Sequence, residues 1–123
     1  MNENESLENI IKKMKAHPKY KSAGMILYHN GIVRNSSRAG EPVSGLEIFV
    51  DHENLNDFIE KQKLKPGIVE ILIHIVENKV LIPGDYVMYL AVAGDIRENV
   101  TSVMKETLEL VKTKYTTKKE HLL

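Results

Sequence analysis

An apolar segment that ends in a glycine and an arginine constrains the fold of this chain more than any other feature. Residues 24–34 read GMILYHNGIVR, so a run suited to a strand is followed by Gly31 and then by a guanidinium at its exit, Arg34. The next residues, 35–42, are polar and typical of a mobile loop. Because arginine offers a planar fork of donors that matches phosphate or carboxylate, Arg34 is a candidate anion ligand.

Helical periodicity recurs at three places along the chain. Apolar residues at helical spacing predict helices over residues 7–14, 55–59 and 100–111. His17-Pro18 would end the first helix. The last helix is the clearest, because its apolar stripe continues over three turns, and Asn99 is its predicted N-cap.

The remaining apolar segments predict strands. Residues 46–50 and 71–75 alternate, residues 86–93 suit a buried strand, and residues 80–82 suit a short one. The order is helix, strand, strand, helix, two or three strands, helix. With hairpin-type turns instead of strict strand–helix alternation, this order predicts an α+β fold, a mainly antiparallel sheet with two to three helices packed on it. Residues 1–123 are expected to form a single domain.

Charge and cysteine content exclude several classes of function. The chain has 17 basic and 17 acidic residues, which argues against binding to nucleic acid or to an anionic membrane. It has no membrane-length apolar run and no signal-peptide pattern, so we expect a cytoplasmic protein. Without cysteine there is no thiol nucleophile, and the scattered histidines predict no metal site; no cofactor is expected.

Basic residues flank the predicted final helix. Arg97 precedes it, where helix amide groups attract anions, and Lys112 follows 15 residues later, beside the apolar stripe. Residues 115–120 form a basic tail that contains Lys118 and Lys119. From the residues alone, each of these lysines is most simply a solvated charge.

The segment that ends in Arg34 resembles the GAxxxFxGxVR motif of the molybdopterin synthase large, catalytic subunit. Both glycines and the Val33-Arg34 pair are in register. The resemblance extends over about residues 7–120 through the order and spacing of further residues: Gly84, Arg97, Lys112 and the Lys118-Lys119-Glu120 run.

The chain departs from the family pattern at several places, two of which lie beside candidate site residues. Ile96 precedes Arg97 where the family usually has histidine. Residues 115–117, Tyr-Thr-Thr, replace a Pro-Ile-Trp run and are one residue shorter. Either Lys118 or Lys119 could therefore match the second lysine of the family.

The resemblance implies a sulfurtransferase that makes molybdopterin. Enzymes of this family install two sulfurs in cyclic pyranopterin monophosphate as a dithiolene. The sulfur arrives as a C-terminal Gly-Gly thiocarboxylate on a small ubiquitin-like carrier subunit, whose tail threads into the large subunit. Large subunits pair as a homodimer, and the complex with the carrier is a heterotetramer.

The resemblance also implies roles for particular residues. Lys112 would be the reactive lysine, and Lys118 or Lys119 would stabilise anionic intermediates. Arg34 and Arg97 would hold the substrate phosphate or the terminal carboxylate of the carrier. The further substrate-binding residues implied are Arg38, in the loop, and Glu120, which would orient the second lysine. We expect Arg34, Arg97 and Lys112 to converge in one pocket, near a subunit boundary.

Two other functions fit the same residues. A non-catalytic homologue could bind a ubiquitin-like carrier through its Gly-Gly tail and lack turnover, which the replaced histidine and tryptophan would permit. A structural dimer unrelated to pterin chemistry would explain the helices and strands, but it gives no role to the ordered basic residues.

Overall fold

The computed structural model of this protein describes residues 5–123, which form three α-helices and five strands. The helices are α1 (Leu7–Lys15), α2 (His52–Gln62) and α3 (Arg97–Leu110). The strands are β1 (Met25–Ile32), β2 (Val43–Val50), β3 (Ile68–Ile75), β4 (Tyr86–Gly94) and β5 (Thr116–Leu122). A 3₁₀ turn, Tyr20–Ser22, precedes β1, and a π turn, Val111–Tyr115, joins α3 to β5. The predicted α+β class is confirmed.

The five strands form two antiparallel sheets. In the larger sheet β4 lies between β1 and β3, and in the smaller sheet β2 pairs with β5. One face of β4 packs on α1 through Tyr89 and Ala91, and the other packs on α2 and α3 through Leu90 and Val92. Because both faces are covered, β4 is a nearly continuous buried apolar run.

The start of β1 is closely packed against the end of β4. The Gly24 amide donates to the Gly94 carbonyl at 2.8 Å, and a Cβ on Gly24 would collide with the Asp95 carbonyl oxygen. The glycine that opens the diagnostic segment therefore permits this close approach of two backbones.

The helix starts follow local capping chemistry. Ser6 caps α1 by accepting a hydrogen bond from the Asn9 amide at 3.1 Å. The prediction that Asn99 caps α3 is wrong, because the helix begins at Arg97 and Ile96 is its N-cap residue. The Asp95 carboxylate accepts from the Ile96 amide at 2.7 Å and from the Asn99 side chain at 2.9 Å, so Asn99 supports the first turn from within.

The basic tail predicted at residues 115–120 is instead mostly a strand. β5 pairs with β2 from Val50↔Thr116 to Val43↔Leu122. Its side chains are exposed or only half-buried, so the apolar alternation that reveals a half-buried strand is missing from its sequence. The main-chain hydrogen bonds of this pairing fix the positions of Lys118 and Lys119.

The short strand predicted at residues 80–82 is also absent. Leu81 makes one isolated bridge to Leu46, with N–O distances of 2.8 Å in both directions. Leu81 is buried, whereas Val80 and Ile82 are more than half exposed, so this segment packs through a single side chain. Within residues 5–123, no helix is long and apolar enough to cross a membrane.

A buried carboxylate fastens α1 to the larger sheet. Glu5 accepts hydrogen bonds from Lys13 Nζ at 2.7 Å and from Asn9 Nδ2 at 2.6 Å, and its carbonyl accepts from the Tyr86 hydroxyl on β4 at 2.9 Å. The hydrogen bond from Lys13 is the largest of the effects that hold the pKa of Glu5 at about 2, below its ordinary 4.5.

We expect Glu5→Gln to lower the free energy of unfolding at neutral pH by roughly 1–2 kcal/mol, less than a fully buried ion pair because half of Lys13 is exposed to water. Since the pKa of Glu5 is depressed in the folded state, its stabilisation is complete above pH 4.5 and is lost as the pH falls towards 2. Urea unfolding at pH 7 and at about pH 3 checks this expectation. Glu8→Gln, on an exposed residue of the same helix, is the control. An equal loss for Glu5→Gln at both pH values would contradict the expectation.

Candidate functional site

A cleft of about 590 Å³ opens where the end of β1, the β2–β5 sheet and the π turn meet. Its apolar lining comes mainly from β2, β3 and β4, together with Ile32, Val33 and Val111. Four cationic side chains line it: Arg34, Arg38, Lys112 and Lys118. The segments that supply them are far apart in the sequence, and the fold brings them to one place.

Arg34 is held at the mouth of the cleft by its own backbone neighbourhood. Its Nε donates to the Ser36 carbonyl at 2.9 Å, which orients the guanidinium and leaves its terminal N–H groups for a ligand. The segment predicted as a mobile loop is a hydrogen-bonded turn. The Ser37 amide donates to the Glu41 carbonyl at 2.7 Å, and the Ser37 hydroxyl oxygen accepts from the Glu41 amide at 3.0 Å. This turn carries Arg38 into the lining of the cleft.

Lys112 lies in the π turn that ends α3. The preceding residue, Val111, is 1% exposed and anchors the turn in the core, and Thr116 Oγ1 donates to the Val111 carbonyl at 2.9 Å. The fold therefore fixes the backbone of Lys112, while its side chain is exposed along the cleft. Irregular helical turns of this kind occur frequently at functional sites.

The alternation of β5 separates the two candidate lysines at positions 118 and 119. Lys118 and Glu120 point to the cleft, as does Thr116. Lys119 does not line the cleft; in the register of the sheet it is opposite Glu47. The sequence left open which lysine matches the family, and the pleat brings only Lys118 to the cleft.

Arg97 lies outside the cleft. It is the first residue of α3, its side chain is 77% exposed, and it lies 3.8 Å from the Glu98 carboxylate. α3 has 14 residues and spans about 20 Å, which separates Arg97 from Lys112 at the other end. Within one chain Arg97 therefore does not join Arg34 and Lys112, and its convergence with them near a subunit boundary stays a prediction.

The electrostatics of the cleft favour an anion. Its four cationic side chains face two carboxylates, Glu109 and Glu120, although the whole chain has no net charge. Among residues 5–123, none of the four cations forms an ion pair with a carboxylate. Unpaired cations that share one concave surface attract phosphate or carboxylate groups.

His29 is a cleft residue that the sequence analysis did not single out. It lies on β1, two residues before Gly31, and both residues line the cleft. Burial lowers the pKa of His29, and the charge of Lys112 lowers it further. His29 occupies the aromatic position of the GAxxxFxGxVR pattern, and this replacement is the signal that could have drawn attention to it.

Metal binding finds no support in the described part of the chain. No group of three or more histidine, aspartate or glutamate side chains in residues 5–123 could hold a metal ion. His74, on β3, is buried beside Tyr86 and Tyr89 on the α1 side of the sheet, away from the cleft.

Solved structures share the fold of nearly all of this chain. The molybdopterin synthase of Staphylococcus aureus is 19% identical, with a TM-score of 0.78 over 98% of this chain and 88% of that one. The complex of subunits 1 and 2 of molybdopterin-converting factor from Helicobacter pylori gives 18% identity and a TM-score of 0.74, covering 96% of this chain and 80% of that one. Molybdopterin cofactor biosynthesis protein E from Burkholderia multivorans is 21% identical, with a TM-score of 0.76 over 99% of this chain and 84% of that one. No curated protein matches the sequence significantly.

The α+β fold of this chain is shared with solved molybdopterin synthase structures. The model of the MoaE protein family matches residues 2–114. The chain therefore belongs to the MoaE family, and this membership gives it a role in molybdopterin biosynthesis.

Proposed function

We propose that this protein is the catalytic subunit of a molybdopterin synthase. It transfers sulfur, in the cytoplasm, from the thiocarboxylated tail of a small ubiquitin-like carrier to cyclic pyranopterin monophosphate. The observation that carries the proposal is the meeting of Arg34, Arg38, Lys112 and Lys118 in one cleft of a MoaE-family fold. The substrate is a monophosphate and the carrier ends in a thiocarboxylate, which becomes a carboxylate once the sulfur has left, so both bring anions that suit this cleft.

The positions of the four cations in the cleft suggest different roles for the arginines and the lysines. Arg34 and Arg38 lie on the β1 side, and arginine binds planar anions through two parallel hydrogen bonds, so we assign them to the phosphate or the terminal carboxylate. Lys112 and Lys118 approach from the α3 and β5 side. An amine can act as an acid, a base or a nucleophile, and we assign this role to Lys112. Lys118 would stabilise anionic intermediates, with Glu120 beside it.

The carrier supplies the sulfur in this proposal. The chain has no cysteine and therefore no thiol of its own to donate. The Helicobacter pylori relative is a complex of subunits 1 and 2 of molybdopterin-converting factor, which supports a small-subunit partner for this chain as well. A homodimer that binds two carriers, a heterotetramer, would also give Arg97 a function, since it could reach the cleft of the second copy.

The two neighbouring lysines are expected to differ. Lys118→Ala should reduce sulfur transfer by roughly tenfold or more, because it removes a charge from the cleft. Lys119→Ala, on the opposite face of β5, should retain activity within about twofold. Initial rates of product formation test the two variants, and both should have the melting temperature of the wild type. A larger loss for Lys119→Ala would assign the role to that lysine instead.

The experiment that tests the proposed function is product formation from cyclic pyranopterin monophosphate and thiocarboxylated carrier. One observation favours a second function: Ile96 replaces the usual family histidine beside Arg97 and is half exposed. A homologue without that histidine could bind the carrier tail and lack turnover. Formation of the dithiolene product would establish the enzyme, and binding of the carrier without product would establish the binding module.

A further inference from the structure

The imidazole of His29 has an unusual environment in the cleft. Its Nε2 atom is buried, and among residues 5–123 it has no hydrogen-bond partner. Leaving a buried polar atom unpaired is costly, so such an atom in a native structure calls for an explanation, such as a catalytic role or a further partner.

The position of His29 on β1 limits which groups can reach Nε2. Gly31 is the next residue on the same face, and a Cβ there would lie 3.4 Å from Nε2 and 3.1 Å from the side chains of Val87 and Met88. A side chain at Gly31 would therefore add to the atoms that already cover Nε2, so a partner reaches Nε2 from the cleft by displacing neighbouring side chains.

The charged groups around the cleft favour a donor as that partner. Six charged side chains line the same cleft: Arg34, Arg38, Lys112, Lys118, Glu109 and Glu120. Lys112 is the charged neighbour whose field acts on His29, and it opposes protonation of the ring. A neutral imidazole with Nδ1 protonated presents a lone pair at Nε2, which suits an ammonium donor.

We propose that His29 is a positioning residue for Lys112: its Nε2 lone pair accepts a hydrogen bond from the Lys112 ammonium when that side chain turns into the cleft. Lys112 then has an outward position and an inward one, and the inward position holds its nitrogen over the floor of the cleft. The buried Val111 fixes the backbone beside Lys112, so the change is confined to side chains: Lys112 rotates, and the side chains that cover Nε2 shift to admit its ammonium. The inference deepens the proposed function, on which it rests, because that function makes Lys112 the reactive amine.

The ring nitrogens of His29 test the hydrogen bond directly in the free protein. Long-range ¹H–¹⁵N correlation spectra of the wild type should show the Nδ1–H tautomer. The Nε2 resonance should move towards that of an unbonded lone pair in Lys112→Ala and remain in place in Lys118→Ala. An Nε2–H tautomer in the wild type, or an Nε2 signal that is the same in wild type and Lys112→Ala, would overturn the proposal.

The reactivity of Lys112 provides a second test, in the folded protein and without substrate. A net hydrogen bond of about 0.7–1.4 kcal/mol holds the amine inward, so an amine-acylating reagent should modify Lys112 roughly threefold to tenfold faster in His29→Phe than in wild type. His29→Gln retains an acceptor and should restore much of the protection. Lys105, exposed on α3, is the internal reference in the same mass spectra. Equal acylation of Lys112 in wild type and His29→Phe would contradict the proposal.

Measuring turnover distinguishes a failure of this inference from a failure of the proposed function. If the protein transfers sulfur, His29→Phe should lower kcat with little change in KM, because the substrate anion is held by other residues. If the wild type makes no product, the proposed function fails, whereas the tautomer and acylation results still decide whether His29 holds Lys112.

Discussion

Replacing Lys112 with alanine is expected to abolish sulfur transfer and leave the fold intact. Lys112 lines the cleft, and its backbone is held in place because the preceding residue, Val111, is buried in the core. Groups that take part in proton transfer or nucleophilic attack contribute at least about a hundredfold to the rate, and we expect a loss of that size or larger. Because the side chain is exposed, the melting temperature should change by no more than the equivalent of about 0.5 kcal/mol.

A matched control lies two residues further along the same turn. Lys114 is exposed in the π turn and does not line the cleft, so Lys114→Ala should retain the wild-type rate. The measurement is product formation from cyclic pyranopterin monophosphate and thiocarboxylated carrier, with thermal melting of each variant. Activity retained in Lys112→Ala would remove this lysine from the mechanism. Equal losses in both variants would point to a disturbed turn.

The elements with strong apolar periodicity could be predicted from the sequence. The stripe of α3 and the buried run of β4 each contain many apolar residues in register with their period, so the pattern alone identified both. β5 could not be predicted as a strand, for the opposite reason. Its stability comes from main-chain pairing with β2, and its charged, exposed side chains carry no pattern that distinguishes a strand from a tail.

Part of the candidate site could be predicted as well. The resemblance to the family predicts both Arg34 and Lys112 as site residues, and the fold brings them to the same cleft. The choice between Lys118 and Lys119 depends on the pleat of β5, which could not be known before β5 was known to be a strand. Arg97 lies at the other end of α3 from Lys112, and its place near a subunit boundary stays a prediction.

His29 shows why a single unpaired polar atom in a buried position cannot be predicted from the sequence. A histidine on a strand usually finds a partner, and nothing in the neighbouring residues distinguishes one that does not. Only the packing around Nε2, with Gly31 beside it, makes the ring a candidate for function.

Recognition of the carrier tail should depend mainly on its terminal carboxylate. Two glycines add little apolar area, so their contribution must come from fitting a narrow space and from charge-assisted hydrogen bonds. Arg34 is suited to this contact, because its Nε is already satisfied by Ser36 and its terminal N–H groups remain for the carboxylate. Arg38 and Lys118 add positive charge around the same cleft.

Deleting the terminal Gly-Gly of the ubiquitin-like carrier is therefore expected to weaken its binding to this protein by about a hundredfold or more, since two charge-assisted hydrogen bonds are lost. Isothermal titration with the full-length and truncated carriers measures the effect. Arg34→Ala should weaken the full-length carrier and have little further effect on the truncated one, because both changes remove the same contact. Raised salt should weaken the full-length complex more steeply than the truncated one. Unchanged affinity after the deletion would exclude recognition through the tail, and with it both the synthase and the binding-module functions.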